Sequence, residues 1–390
     1  MPKRAANPEP LALPQWHDVR AATTPTDAAS ALWSVVTGAC QSLGFSLAGI
    51  CSADPCGEAD LYRDWIAAGK HGSMTWLADQ ARTKADARVE LPTAKSIIMV
   101  ADRYAPRAPR EPGPPPTHAA IAKYARGRDY HLVIKNRLHR LSDALRLHFK
   151  AAPPAVGAAQ PNGQPHDFRT FVDTAPIHER AYAQLAGLGW RGKNTLLINP
   201  EHGSFLLLGG ILTTLDLFPG PLAPHVPKLV VDHCGTCTRC IDACPTQAIT
   251  PYSVDARRCI AYLTIEHQGE IDPALHHGIG RWIFGCDICQ DVCPHNSPRP
   301  GGGLSTEPNP INPEYTPRHS SFDLLEVLGW DEPAKRRAAE GTPIKWASLE
   351  MLKRNALIAA RNALDDPTTR LAMTQQQAED LTAAVQRHTS

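Results

Sequence analysis

Eight of the eleven cysteines fall between residues 234 and 293, and nothing else in the 390 residues restricts the fold as tightly. Cys234, Cys237, Cys240 and Cys244, followed by Pro245, match C-x2-C-x2-C-x3-C-P, the bacterial ferredoxin run that builds cubane iron-sulfur clusters. Cys286, Cys289, Cys293 and Pro294 repeat its second half, and Cys259 supplies the missing ligand once an insertion separates it from its motif. In such modules the fourth cysteine of each run ligates the other cluster. Cluster one is therefore assigned Cys234, Cys237, Cys240 and Cys293, and cluster two Cys244, Cys259, Cys286 and Cys289. The competing reading is structural zinc, because C-x2-C pairs also hold Zn. Two C-x3-C-P endings among eight cysteines weigh against it. Low-potential electron transfer is the consequence. Cys40, Cys51 and Cys56 stand apart and read as small buried apolar residues.

A chain of this length, 43% hydrophobic, can bury a sizeable core and divide into two or three domains. Forty basic against thirty-nine acidic side chains leave a formal +1, so a nucleic acid or membrane partner would have to be met by a local patch. The longest apolar stretches, such as 205–211, fall far short of the roughly 20 residues a membrane helix needs. Residues 1–26 are rich in Pro and Ala and carry Lys3 and Arg4 without a following apolar core, which gives neither a secretory nor a twin-arginine signal. The expectation is a cytoplasmic protein with reduced thiols.

Hydrophobic periodicity predicts helices over 26–44, within 58–87, over 130–150 through Leu132, Ile134, Leu138, Leu141, Leu145 and Leu147, and over 178–186. Strands are expected at 45–50, 96–101 and 168–172. Residues 105–116 hold six prolines, which prevents helix and central strand, and 151–166 reads as a similar loop. That order predicts an α/β or α+β domain up to about residue 225. Leu349, Leu352, Ala356, Ala359 and Ala363 share one face of a helix near the C-terminus, and a last helix is expected over 375–387.

Three stretches of the first domain carry polar chemistry. Residues 123–131 mix Lys123, Arg126 and Arg128 with Tyr124, Tyr130 and His131, although a solvated helix entrance would look the same. Asp173 ends a strand in Val172-Asp173-Thr174-Ala175-Pro176, where it serves equally well as a helix cap or as a general acid. Residues 187–193 mimic the P-loop G-x4-G-K. Asn194 stands where Ser or Thr must meet magnesium, and a helix precedes the loop instead of a strand, so a nucleoside triphosphate site is rejected. The loop could still hold the phosphate or amides of a large cofactor, or be a plain turn.

Taken in order around the cysteines, four stretches resemble the epoxyqueuosine reductases from about residue 27 to 362: Gly69-Lys70-His71-Gly72-Ser73-Met74, 172–176, 189–194, and 257–267 around Cys259 and Tyr262. The resemblance implies an α+β protein. Its expected parts are a disordered 1–26, a nitroreductase-like cobalamin-binding catalytic domain over 27–225, a ferredoxin-like domain with two 4Fe-4S clusters over 226–305, and a HEAT-like helical segment over 306–390 that contacts tRNA. The reaction implied is reduction of epoxyqueuosine at the tRNA wobble position to queuosine, with the epoxide oxygen lost as water. Reductive opening of an epoxide leaves an alkoxide, a poor leaving group until protonated, and Asp173 is the acid expected to protonate it. Arg88, Tyr104, Tyr130, His131, Asp173, Lys193, Asn194 and Tyr262 are the implied cofactor contacts.

For the tRNA, residues 331–365 hold seven Lys or Arg against five acids. Lys345, Lys353, Arg354 and Arg361 are the expected phosphate contacts, the last three placed opposite the Leu349–Leu352 stripe; a solvated helix face is the plain alternative. The expected partners are epoxyqueuosine tRNA and a low-potential electron donor, with the chain a monomer. A reductive dehalogenase is the nearest rival, but such enzymes usually carry a twin-arginine signal. A ferredoxin-fused electron carrier is another, and it would not need the large first domain.

Overall fold

The computed structural model describes residues 11, 25–150, 165–217, 229–298 and 311–388. Residues 1–10 and 12–24, most of the 151–166 loop, and the expected domain junctions near 225 and 305 lie outside the described residues. In chain order the elements used below are α1 (Pro25–Ser42), β1 (Leu47–Ser52), β2 (Ser96–Arg103), β3 (His118–Ile121), α2 (Tyr130–Lys150), β4 (Phe168–Phe171), α3 (Glu179–Leu185) and β5 (Leu206–Thr213). They continue with α4 (Ile260–Ile265), β6 (Trp282–Phe284), β7 (Ser321–Asp323), α5 (Leu349–Asp365) and α6 (Gln375–Arg387).

The main sheet is antiparallel throughout, in the order β1-β2-β5-β4. Every residue of β2 is buried, and alternate side chains enter opposite cores, which is why the strand reads as an unbroken apolar run. Ile98 and Val100 pack with Leu32 and Val36 of α1, with Leu43 just after it, and with Ile134, Leu138, Leu141 and Leu145 of α2. Ile97, Met99 and Ala101 pack with Tyr182 and Ala183 of α3 on the other side. Helices on both faces of an antiparallel sheet make the domain α+β. Leu132 and Leu147, expected on the buried face of α2, are exposed; the stripe is narrower than the sequence pattern implied.

The central strand β5 escaped sequence reading because Gly209 and Gly210 weaken any strand pattern. Gly210 pairs with Met99 on one side and Phe171 on the other, and a Cβ there would strike the Phe171 ring and the Ile98 carbonyl. The glycine lets an aromatic ring lie against the sheet.

A second sheet, in the order β6-β3-β7, takes one strand from each of the three segments distinguished in the sequence. β3 runs parallel to β6 and antiparallel to β7. Leu352, Ala356, Ala359, Ala360 and Ala363 of α5 share a core with Ile121, Ile283, Phe284 and Leu324. Their small side chains bring the helix close to the sheet, and α6 follows behind a Thr374–Gln377 capping box. The elements of the cysteine segment are short: helical turns at Arg239–Asp242 and Ile288–Asp291 beside the ligand runs, and α4, a helix at Pro273–Ile279 and β6 between them. Among the described residues no helix is long and apolar enough to cross a membrane.

Candidate active site

A cleft of about 1220 Å³ opens where the main sheet, the cysteine segment and the C-terminal segment meet. Drug-sized ligands fill roughly 300–1,000 Å³, so this space suits a larger group. Its floor includes Leu206, Leu207 and Leu208 at the start of β5, with Tyr104, Tyr124 and Phe284 beside them. The carboxylate of Asp287 also lines the cleft; one oxygen accepts the Lys123 N–H at 2.7 Å, and the other is buried without a partner. Burial pushes the Asp287 carboxyl up to about 6. A large apolar-walled cavity with an orphaned acceptor fits a bulky amide-bearing cofactor.

Four of the eight motif cysteines, Cys244, Cys259, Cys286 and Cys289, line this cleft; Cys234, Cys237, Cys240 and Cys293 are not among its lining residues. The thiols also influence one another in groups: Cys293 with Cys234, Cys237 and Cys240, and Cys286 with Cys289 and Cys259. Cys289 feels Cys259 and Cys244, and Cys240 as well. Burial pushes the Cys293 thiol up to about 11 and Cys286 well above the ordinary range. Gathering such thiols is favourable once metal charge offsets their ionisation. Among the described residues no three His, Cys, Asp or Glu converge as ligands of a single ion. Cys259 reaches the cleft because it is the N-cap residue of α4. Cys40 and Cys51 are buried in the first domain, as expected of apolar residues, and Cys56 is half-buried.

Asp173 stands in the left-handed region at φ 50, where Asp and Asn are tolerated better than most residues. Its backbone N–H donates to Glu179 Oε1 at 2.7 Å. Its carboxylate, 56% exposed on the cleft, lies 3.1 Å from His131 Nε2. His131 Nδ1 lies 2.7 Å from Oδ1 of the fully buried Asp129, whose other oxygen is 2.6 Å from the Lys345 ammonium. The result is a continuous line of charge, Lys345–Asp129–His131–Asp173. Burial alone would lower the His131 pKa, but hydrogen bonds to Asp129 and Asp173 lift it to about 9. Burial would raise both carboxyls, yet His131 holds Asp173 below the usual range, and His131 with Lys345 holds Asp129 at about 2. Glu179 is the exception, pushed up to about 8 by burial and by the Asp173 charge.

Several expected contacts fall elsewhere. Arg88 is absent from the cleft lining, and its guanidinium pairs with Asp86 at 2.9 Å and Asp54 at 3.0 Å. Lys193 is not in the cleft either; its ammonium donates to the Gly235 and Cys237 carbonyls at 2.6 and 3.0 Å and props the first cysteine loop. Arg354 does not face outward, because its five N–H groups go to the carbonyls of Leu263, His267 and Gly269 and to Asn355. Lys345 is turned onto Asp129. Lys353 and Arg361 are half-buried, with no ion pair among the described residues. Tyr104, Tyr130, His131, Asp173, Asn194 and Tyr262 all line the cleft. Tyr262 also joins two motifs: its hydroxyl accepts the Ser73 N–H at 2.8 Å, and a Cβ at Gly72 would strike its ring. The 123–131 stretch is no solvated entrance, since Asp129 is fully buried, Tyr130 nearly so, and Lys123 pairs with Asp291.

Curated relatives match this arrangement over nearly the whole chain. An epoxyqueuosine reductase of Xanthomonas campestris is 37% identical, with 95% of this chain and 96% of the relative covered. The chain belongs to the epoxyqueuosine reductase family. The Alicycliphilus denitrificans epoxyqueuosine reductase is 38% identical over 84% of this chain and 86% of its own. Residues 84–174 match the family model described as epoxyqueuosine reductase QueG, DUF1730, and residues 233–296 match the 4Fe-4S double cluster binding domain. A crystal structure of epoxyqueuosine reductase with a tRNA-Tyr epoxyqueuosine-modified stem loop superposes with a TM-score of 0.70 at 22% identity, covering 92% of this chain and 99% of that one. Like its relatives, this member of the family is an oxidoreductase with a two-cluster iron-sulfur domain.

Sequence reasoning passed over Glu179 and Asp129. Asp129 sits two residues from His131, a selected residue, and Glu179 follows His178, which was read only as the start of a helix; an acid flanking a histidine at a helix start is the pattern that marks both.

Proposed function

We infer that this chain reduces epoxyqueuosine at the wobble position of tRNA to queuosine, with a cobalamin and two 4Fe-4S clusters. The observation that supports this most is that Cys244, Cys259, Cys286 and Cys289 line the same cleft as the Asp173–His131 pair. When bound, the clusters and the corrinoid supply single electrons at low potential to a substrate held in that cleft. Cys234, Cys237, Cys240 and Cys293 would hold one cluster and the four cleft cysteines the other. Tyr104, Tyr130, Asn194 and Tyr262 would hold the corrinoid.

Two electrons and two protons convert the epoxide to an alkene and water. The protein's own task is to place the protons. At neutral pH one proton rests on His131, lifted to about 9, whose Nε2 lies 3.1 Å from an ionised Asp173. As negative charge grows on the epoxide oxygen, the proton on Nε2 passes to Asp173 and Asp173 protonates the oxygen; His131 then takes a second proton from water in the open cleft and passes it the same way, so that the oxygen leaves as water. Asp129 keeps the imidazolium oriented and charged, and Lys345 keeps Asp129 ionised. Glu179 holds Asp173 in its left-handed conformation by accepting its N–H.

The reading extends to a nitroreductase-like cobalamin domain, a HEAT-like C-terminal segment that meets tRNA through Lys353 and Arg361, a cytoplasmic monomer, and a low-potential donor. The test is anaerobic single-turnover conversion of epoxyqueuosine tRNA with excess chemical reductant. Asp173→Asn retains iron and cobalamin but converts roughly 100- to 10,000-fold more slowly. Near-wild-type conversion would end the proton-transfer role of Asp173.

A further inference from the structure

Leu61, Tyr252 and Trp346 are large apolar side chains that are exposed and line the cleft. Trp346, 64% exposed, stands beside His131: the two ring centroids are 6.1 Å apart, and His131 Nε2 lies 3.1 Å from Asp173. The indole is not exposed because its backbone is loose. It ends the turn Pro343–Trp346 between Ile344 and Ala347, which are 1% and 0% exposed, and the Lys345 beside it is fastened to Asp129. The Lys345 ammonium also lies over the ring, 5.0 Å from its centroid. A rigidly mounted indole with one face near a cation has its other face to offer.

We propose that Trp346 is a stacking platform for an RNA base that flanks the modified nucleoside, a role that rests on the function inferred above. For the epoxide to reach Asp173, its nucleotide must leave the anticodon-loop stack, which strips one neighbouring base of a stacking partner. Aromatic side chains replace such partners in single-stranded RNA recognition, and the contact tolerates any base because every base has a π-face.

The probe is an anticodon stem-loop RNA carrying epoxyqueuosine, used intact and with an abasic site at the 5′ or the 3′ neighbour. Reconstituted wild type, Trp346→Ala and Trp346→Phe are compared by Kd and by conversion, with iron content and Tm as controls for folding. Trp346→Ala weakens binding of the intact loop on the order of 5- to 150-fold, and Trp346→Phe keeps most of the affinity. On one of the two abasic RNAs the Ala variant and wild type bind alike, because the base that stacked is gone. The proposal is overturned if Trp346→Ala binds the intact loop within twofold of wild type, or if its loss persists on both abasic RNAs. It is also overturned if the variant converts free epoxyqueuosine nucleoside as slowly as the loop, which would make the indole a cover for the cleft. Wild type that binds the loop with these couplings but never converts it would sink the reductase reading and leave the platform standing. Wild type that converts the loop while Trp346→Ala binds it equally would do the reverse.

Discussion

Replacing Asp129 with Asn keeps the shape of the fully buried side chain and removes the charge that holds His131 protonated. His131 stands at about 9 against an ordinary 6.5, a rise produced by Asp129 and Asp173 together against the pull of burial. If the two carboxylates share that rise, losing one lowers the histidine by at least ~1–1.5 pKa units, about 1.4–2 kcal/mol or more of stabilisation of the imidazolium, because the rise is what is left after burial has pulled the other way. Little screening correction is needed, because the His131 side chain is 18% exposed and that of Asp129 0%. The folded-state pKa of His131 is raised, so its contribution to stability is complete below about 6.5 and disappears as pH climbs through about 9. The proton available for turnover follows the same curve. In single-turnover conversion of epoxyqueuosine tRNA across pH 6 to 10, wild type should therefore lose rate on an alkaline limb near 9, and Asp129→Asn should show that limb at least ~1–1.5 units lower. Equilibrium unfolding across the same range should show the variant losing its pH-dependent stability at correspondingly lower pH. An alkaline limb that does not move, or moves upward, would refute the idea that Asp129 sets the charge of His131.

Cys259→Ser should reduce bound iron from about eight atoms per chain to about four, measured by colorimetric assay on anaerobically purified protein; full iron would remove Cys259 from the ligands. Glu179 titrates upward in the fold, to about 8, so it takes away stability as pH rises from about 4.5 to 8. Glu179→Gln retains an acceptor for the Asp173 N–H and should abolish that loss, raising Tm at pH 9 relative to wild type while leaving it nearly unchanged below the unfolded value of about 4.5; a variant whose Tm follows pH as wild type does would contradict this. Arg354→Ala strands the carbonyls of Leu263, His267 and Gly269, and should cost about 2 kcal/mol or more in unfolding without altering the salt dependence of tRNA binding. A shallower salt slope in that variant would return Arg354 to the phosphate contacts.

The cysteines were legible in the sequence because ligand spacing within each run is short and the chemistry is carried by residue type. The same holds for Ile134, Leu138, Leu141 and Leu145 of α2, where helical period points to the buried face, although it also pointed to Leu132 and Leu147, which are exposed. It holds for Asp173 as well, marked by the turn that ends its strand. Local order was much less legible where a residue's partner lies far along the chain. Gly209 and Gly210 look like strand breakers until Phe171 and Ile98 arrive on either side of them. Arg354 looks like a solvated cation until 263–269 folds beneath it, and its guanidinium is worth more to those carbonyls than to water.

What the sequence by itself determined is the chemistry that covalent spacing and helical period can carry: two cluster motifs, a first domain that mixes helices and strands, and an acid at a strand end. What only the tertiary structure decided is which thiols reach the cleft and which charges meet there. Lys345 and Asp129 are 216 residues apart in the chain and 2.6 Å apart in the fold. A buried carboxylate is stable only when cations reach it, so the fold must bring them, and no local pattern records where they come from.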